Sequence, residues 1–380
     1  MSAYVTTEDP REASDRLLSL TLELTERCNQ DCQHCCINRP AQDASAKTRE
    51  MDTETVMRVL REAAGLGCKR VCFTGGEPLL RTDFETLYLY ARRQGFQVQL
   101  FTNATLLTPP LATLMKAVPP LEPIEVTVYG MSARSVETVT RVAGTHTRLQ
   151  AGVRLLRENQ IPFVVKYACL PANRHELDAF EEWGRRLGAI DGIPSLVLFF
   201  RLRDRRDDPV RNRMIQSVRI SPADGLALLR RHEAAYAESA RQFIQRYAGL
   251  AAGCGAGRHV CVDAYGHVQP CGALRDPARS LNIYGSDAPA GLTLDEALRA
   301  FAAKGCEPPP ARCARCFLYG FCEQCPALSW SEHGAYDQPV AYFCDVAHAQ
   351  ARRLGWLKTD ESAWESRVPS VAKAVVNTPT

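Results

Sequence analysis

Six short apolar runs alternate with amphipathic stretches between residues 18 and 218, and this alternation limits the fold more than any other feature of the chain. The runs are Leu18–Thr25, Arg70–Phe73, Gln97–Phe101, Ile124–Val128, Pro162–Ala168 and Leu196–Phe200. Each is short and rich in Val, Leu, Ile or Phe, as a strand buried on both faces should be. Helical patterns lie between them. Asp52 is placed to cap a helix carrying Val56, Leu60 and Ala63, with Gly67 as its stop. Thr82 and Glu85 have capping-box spacing ahead of Phe84, Leu87 and Ala91, and Gly95 follows. Thr108-Pro109 opens a third helix. Leu149, Val153 and Leu156 mark a fourth, and Leu177, Phe180, Trp183 and Leu187 a fifth. Ser221-Pro222-Ala223-Asp224 opens a sixth.

Repeated βα units require a parallel sheet with right-handed crossovers. Six units fit an α/β fold of the partial (β/α)6 TIM-like barrel type better than a closed barrel of eight. Reacting groups in such folds sit on loops at the carboxyl ends of strands. Three signals fall there: Cys28, Cys32 and Cys35 after the first strand, Gly75-Gly76-Glu77-Pro78 after the second, and Thr102-Asn103 after the third.

The C-x3-C-x2-C spacing of Cys28, Cys32 and Cys35 places three thiolates within one loop. They can hold three irons of a cubane and leave a fourth iron open; zinc is the other metal such thiolates suit. The neighbouring Cys36 points differently and is poorly placed to share the same cubane. The paired glycines let the backbone approach a ligand closely. Backbone carbonyls there, or Glu77, can accept hydrogen bonds from a bound amino group.

From Cys254 to Cys344 the composition changes to Gly, Pro and short loops around Cys254, Cys261, Cys271, Cys313, Cys316, Cys322, Cys325 and Cys344. A small region poor in long apolar elements needs staples, and metal supplies them. The two CxxC pairs taken alone fit a zinc ribbon; eight thiolates also equal the number that two four-iron clusters require. The chain holds 16 cysteines but starts with a polar stretch, Met1 to Arg16, that is no secretory signal, so metal or redox use is expected over disulfides. The remaining five, Cys36, Cys68, Cys72, Cys169 and Cys306, are expected to be buried small hydrophobes.

With these motifs in hand, the chain resembles the radical S-adenosylmethionine (SAM) superfamily. Cys28, Cys32 and Cys35 match its cluster motif, with His34 at a position usually aromatic. Gly75, Gly76, Glu77 and Pro78 match the motif that binds the SAM amino group. Thr102, Asn103 and Ala104 are similar to its third-strand loop. Val126, Thr127, Val128, Tyr129 and Gly130 are similar to its fourth. The resemblance implies reductive cleavage of SAM to methionine and a 5′-deoxyadenosyl radical, which takes a hydrogen atom from a substrate. It implies cofactor contacts at Gly75, Gly76, Glu77, Pro78, Thr102, Asn103 and Thr127.

The C-terminal layout resembles the SPASM extension of radical SAM enzymes that modify peptides and proteins. That resemblance implies three 4Fe–4S clusters in all: the SAM-binding one and two auxiliary ones. Cys254, Cys261, Cys271 and Cys325 would hold the first auxiliary cluster; Cys313, Cys316, Cys322 and Cys344 would hold the second. Only two residues, Glu323 and Gln324, separate Cys322 from Cys325 where the family has three, which leaves Cys306 as an alternative to Cys325. The expected organisation is a tail at 1–17, a barrel at 18–218, a helical connector at 219–250, a small Cys-rich cluster-binding domain at 251–357 and a loose tail at 358–380.

The expected substrate is a ribosomally made precursor peptide, crosslinked or oxidised after hydrogen abstraction. The alternatives are a small-molecule dehydrogenase or decarboxylase, a sulfatase-maturase-like oxidation of a protein Cys or Ser, and a zinc-stabilised binding protein without radical chemistry. An electron donor such as flavodoxin or ferredoxin is implied. Only about 17 residues precede the first strand, too few for an N-terminal leader-binding module, so peptide recognition is expected to use the SPASM region, the Arg-rich loop or a separate leader-binding protein. The arginines from Arg201 to Arg213 can draw an acidic peptide, or pair locally with Asp204, Asp207 and Asp208. Lys166 and Arg201 can face SAM, substrate or a carboxylate; Tyr129 and Tyr167 can relay hydrogen or simply be buried. The net charge of +3 argues against a nucleic-acid partner, no apolar run is long enough to span a bilayer, and a cytoplasmic location is expected.

Overall fold

The computed structural model describes residues 17–366 except 38, 191–207, 230–231, 248–256, 290, 306, 320 and 323. The sixth expected strand, Leu196–Phe200, lies outside the described residues, as do Cys254, Cys306 and the arginines at 201, 203, 205 and 206.

The strands of the main sheet are β1 (Ser19–Thr25), β2 (Arg70–Gly75), β3 (Gln97–Thr102), β4 (Ile124–Val128), β5 (Phe163–Tyr167), β6 (His259–Val262), β7 (His267–Gln269) and β8 (Leu281–Asn282). They form one sheet in the order β8-β7-β6-β1-β2-β3-β4-β5. From β6 through β5 every pairing is parallel, and only β7 and β8 run antiparallel. The helices are α1 (Ala44–Arg49), α2 (Thr53–Gly65), α3 (Phe84–Arg93), α4 (Pro109–Ala117), α5 (Ala133–Thr140), α6 (Thr145–Glu158), α7 (Leu177–Leu187), α8 (Pro209–Ser217), α9 (Pro222–Leu229), α10 (Glu233–Tyr247), α11 (Leu294–Lys304), α12 (Pro326–His333) and α13 (Ala341–Arg353). The α2, α3, α4 and α6 segments fill the crossovers of a partial barrel, as the apolar periodicity requires.

Leu20, Leu22 and Leu24 of β1, Val71 and Phe73 of β2, and Val98 and Leu100 of β3 are buried in one core with Val56, Leu60, Leu87 and Leu156 of the helices. Each such side chain contributes roughly 1.5–3 kcal/mol on leaving water. The opposite, inner face of the same strands is polar. It carries Glu23, Cys72, Gln99, Glu125, Thr127 and Lys166, because successive strand residues alternate between faces.

Asp52 caps α2 through the Thr55 N–H, and Thr108 caps α4 through the Leu111 N–H. The expected Thr82–Glu85 capping box does not form. Asp83 is the residue before α3, and its carboxylate is taken by Arg81 and Thr53. A capping box occurs instead at α11, between Thr293 and Glu296.

The Cys-rich region begins within the barrel's own sheet. Leu20 of β1 is in register with Val260 of β6, and Thr21 with Cys261. Residues 358–366, expected to be loose, are held: Ala363 is buried, its N–H donates to His348 Nε2 at 3.1 Å, and Trp364 packs edge-on to His348. Two residues that no periodicity marks thus anchor the segment after α13. Cys68, Cys72 and Cys169 are buried as expected, and Cys36 is half-buried.

Candidate active site

The three motif loops meet at the carboxyl ends of β1, β2 and β3. The first is fixed by backbone fit. The Gly76 N–H donates to Thr25 O at 2.7 Å, and the Glu77 N–H to Arg27 O at 2.9 Å. A Cβ on Gly75 would lie 2.2 Å from Thr25 O, and one on Gly76 would lie 2.1 Å from Arg27 O. Gly75 also has φ +118°, which side chains disfavour. The glycines therefore let the second loop lie directly against the segment leading into Cys28.

Glu77 then ties the second loop to the third. It is 1 % exposed. Its Oε1 accepts from Thr102 Oγ1 at 2.7 Å and from the Leu79 N–H at 3.1 Å, and its Oε2 accepts from the Asn103 N–H at 2.9 Å. Burial pushes its carboxyl up to about 7, against the pull of these donors. Glu77 is thus an internal staple of the rim, with the backbone left to face a ligand. Pro78 is buried beneath it and opens a short 3-10 turn.

Asn103 extends the network to the cysteines. Its Nδ2 donates to Asn29 Oδ1 at 2.9 Å and lies 3.9 Å from Cys28 Sγ. Its Oδ1 accepts from the Thr105 N–H at 3.0 Å and from Thr105 Oγ1 at 2.6 Å, and Asn29 Nδ2 donates to that hydroxyl at 2.8 Å. Asn29 and Thr105 were not singled out by sequence; short polar residues beside a motif carry no distinctive signal. Thr127 is half-buried on the inner face of β4, in register with Lys166 of β5. The Lys166 charge favours ionisation of Glu125, whose carboxyl is raised overall by burial.

Cys32 is buried, and Cys28 and Cys35 are half-buried. Burial, then the Glu77 carboxylate, pushes the Cys28 thiol up to about 12, and Cys35 adds to this. Burial, then Cys35 and Cys28, pushes Cys32 well above its usual range. Cys28 and Cys32 thereby resist ionisation, a balance that a bound metal reverses in any thiol that ligates it. Burial lowers His34 to about 4, so it sits as a neutral ring 5.2 Å from Tyr129. Tyr167 is fully buried, with its hydroxyl donating to Asn173 O.

In the Cys-rich region Cys313, Cys316, Cys322 and Cys344 come together. Burial, then Cys344 and Cys316, raises Cys313 to about 11. Burial raises Cys322 to about 12, with Cys316, Cys344 and Cys313 adding to it. Arg312 Nη2 lies 3.6 Å from Cys344 Sγ. Cys271 and Cys325 line one cavity, with Tyr336 and Arg279 on its wall. Cys261 is fully buried on the inner face of β6, where Arg275 lies near it while pairing with Glu23 of β1. Among the described residues no three His, Cys, Asp or Glu side chains converge on a single-ion position. A cubane spreads its thiolates over several irons and needs no such point.

This fold, with cysteines at the mouth of a partial barrel, is the radical SAM fold. Residues 22–184 match the model of the radical SAM superfamily, so this segment is a radical SAM domain, whose cofactors are a 4Fe–4S cluster and SAM. Among curated relatives, the AdoMet-dependent heme synthase of Methanosarcina barkeri is 27% identical over 84% of this chain and 94% of its own. The PqqA peptide cyclase of Gluconobacter oxydans is 33% identical over 45% of this chain, and the match spans only 47% of the cyclase. In fold the chain is similar to anSMEcpe with bound AdoMet, with TM-score 0.62 and 16% identity over 89% of this chain and 98% of that one. It is also similar to SuiB of Streptococcus suis bound to S-adenosylmethionine, with TM-score 0.59 and 14% identity over 85% of this chain and 76% of that one.

Proposed function

We propose that Cys28, Cys32 and Cys35 bind the 4Fe–4S cluster, that the Gly75–Pro78 and Thr102–Asn103 loops and Thr127 receive SAM, and that the substrate is a ribosomally made precursor peptide. The observation that carries the site is the joining of all three rim loops through Glu77, Asn103 and the Gly76 backbone. Held by these residues, the cluster and SAM would supply radical hydrogen-abstraction chemistry to the substrate. The chain's own residues hold the rim rigid. Gly75 and Gly76 bring the second loop against the first, and Glu77 and Asn103 lock the third loop to both. The polar inner face of β3–β5 then offers Gln99, Glu125 and Lys166 to orient a polar substrate segment. The peptide reading is supported by the similarity to a PqqA peptide cyclase along the barrel.

The eight C-terminal cysteines fit two auxiliary 4Fe–4S clusters, and the grouping of Cys313, Cys316, Cys322 and Cys344 supports the second. For the first, Cys271 and Cys325 share a cavity wall with Gly305 and Glu307, which flank Cys306. Among the described residues no helix is long and apolar enough to cross a membrane. A cytoplasmic enzyme reduced by flavodoxin or ferredoxin, with a separate leader-binding protein, completes the proposal.

A second reading, a small-molecule substrate, is favoured by the heme synthase relative, which aligns along nearly its whole length. Anaerobically reconstituted protein decides between them. Three clusters require about twelve irons per chain with matching sulfide. Strong reductant and SAM should yield 5′-deoxyadenosine, and Cys28→Ala, Cys32→Ala and Cys35→Ala should each abolish it. A candidate precursor peptide should lose two hydrogens in mass. Turnover of a tetrapyrrole with every peptide left intact establishes the second reading instead.

A further inference from the structure

The loop from Cys28 to Cys35 is gripped from outside the rim. The Asp31 N–H donates to Thr140 O at 2.9 Å, and the Gln33 N–H to Val139 O at 3.1 Å. The loop thereby covers the last carbonyls of α5, which a helix end leaves without partners. Arg141, just past α5, donates from Nε to Asp31 O at 2.8 Å and pairs with the Asp31 carboxylate. From the other side Arg211 reaches in from the first turn of α8. Its Nη1 donates to Cys32 O at 3.2 Å, and its Nη2 to Asp31 Oδ1 at 3.1 Å. Its side chain is only 17% exposed, and its N–H is held by the capping Asp208 at 2.8 Å. The arginine that the sequence grouped with a substrate-attracting patch is therefore turned inward onto a cluster ligand.

The Tyr129 hydroxyl lies beside the Cys32 thiol, which itself donates to Gln30 Oε1 at 3.5 Å. Tyr129 is itself fixed, because Asn173 Nδ2 donates to Tyr129 O at 2.8 Å and the ring lies against His34. A donor on a ligating sulfur and a cation beside its carbonyl both favour the more negative, reduced state of a cluster.

We propose that Arg211 and Tyr129 are positioning residues for the SAM-binding cluster, both acting through Cys32: Arg211 locks the loop backbone, Tyr129 donates to the thiolate, and both raise the cluster's reduction potential. This inference rests on the reading that Cys28, Cys32 and Cys35 hold the cluster.

The test is a redox titration of the reconstituted full-length protein, following the electron paramagnetic resonance signal that changes when SAM is added. Tyr129→Phe should keep that signal at full size after complete reduction but reach half height at a more negative potential. Arg211→Gln should shift the same way, or lose the signal while auxiliary iron remains, and Arg211→Lys should recover part of the loss. Unshifted potentials in Tyr129→Phe and Arg211→Gln overturn the inference. A wild-type protein with iron but no SAM-responsive signal overturns the cluster reading itself, and the two failures are told apart by that one spectrum.

Discussion

The buried Glu77 carboxylate accepts the main-chain N–H of Asn103 at 2.9 Å and so joins two loops 26 residues apart in sequence. With Thr102 and Leu79 as its other donors, each of its two oxygens already accepts a hydrogen bond. Glu77→Gln keeps the shape but sets an NH2 against one of these donors. The expected cost is about 1–3 kcal/mol of unfolding free energy with weakened SAM binding. Urea unfolding and equilibrium dialysis with SAM read the two effects.

Glu77 also fixes the sign of a pH dependence. Its folded value of about 7 lies above the ordinary 4.5, so the folded state holds this proton more tightly than the unfolded chain. The stability this confers is complete below about pH 4.5 and is lost as pH rises through about 7, a difference of order 3 kcal/mol. Wild type should therefore lose stability relative to Glu77→Gln between pH 5 and 7. Parallel unfolding curves across that range would contradict the assignment.

Gly76 should tolerate no side chain. An alanine Cβ would sit 2.1 Å from Arg27 O, and relief requires moving the backbone beside Cys28. Gly76→Ala should cost about 3 kcal/mol or leave the chain unfolded. Gly65→Ala, in α2 with open space around it, is the control and should gain up to about 1 kcal/mol. Thermal unfolding of the two variants should move in opposite directions.

Asn173 is fully buried and spends both amide hydrogens, on Tyr129 O and Ala168 O, while its Oδ1 accepts from the Leu170 N–H. Asn173→Asp would face two carbonyls with an acceptor. It should cost about 3 kcal/mol or more, and more than Asn173→Ala. Chemical denaturation ranks the two.

Cys344 sits beside Cys313 and Cys316 although it lies 28 residues beyond the latter. Cys344→Ala should lose the same iron as Cys313→Ala, and the double variant should lose no more than either alone. Iron and sulfide analysis of the three proteins checks this; additive losses would place Cys344 in another site. With the cysteines holding metal as proposed, the C-terminal region should also melt earlier in each variant, because binding of a structural metal is coupled to folding.

The barrel was legible because its signals are local. Leu20, Leu22 and Leu24 sit at alternate positions in one run, and Asp52 and Thr108 announce their helices within a few residues. The cysteine spacings and the Gly75–Pro78 run are equally compact. The capping box at Thr82–Glu85 misled because the helix begins at Phe84, one residue later than that box needs: Asp83 stands at its cap position, its carboxylate held by Arg81 and by Thr53, which is 29 residues away from Thr82.

By itself the sequence determined the strands from Leu18 to Ala168, the three-cysteine loop and the class of chemistry such a loop supports. The tertiary structure decided that Glu77 staples the rim, that Arg211 grips the Cys28–Cys35 loop, and that the strand bearing Cys261 joins β1. Periodicity and spacing are written within a few residues of chain. Hydrogen-bond partners such as Arg211 and Cys32, 179 residues apart, are chosen only when packing brings their elements together.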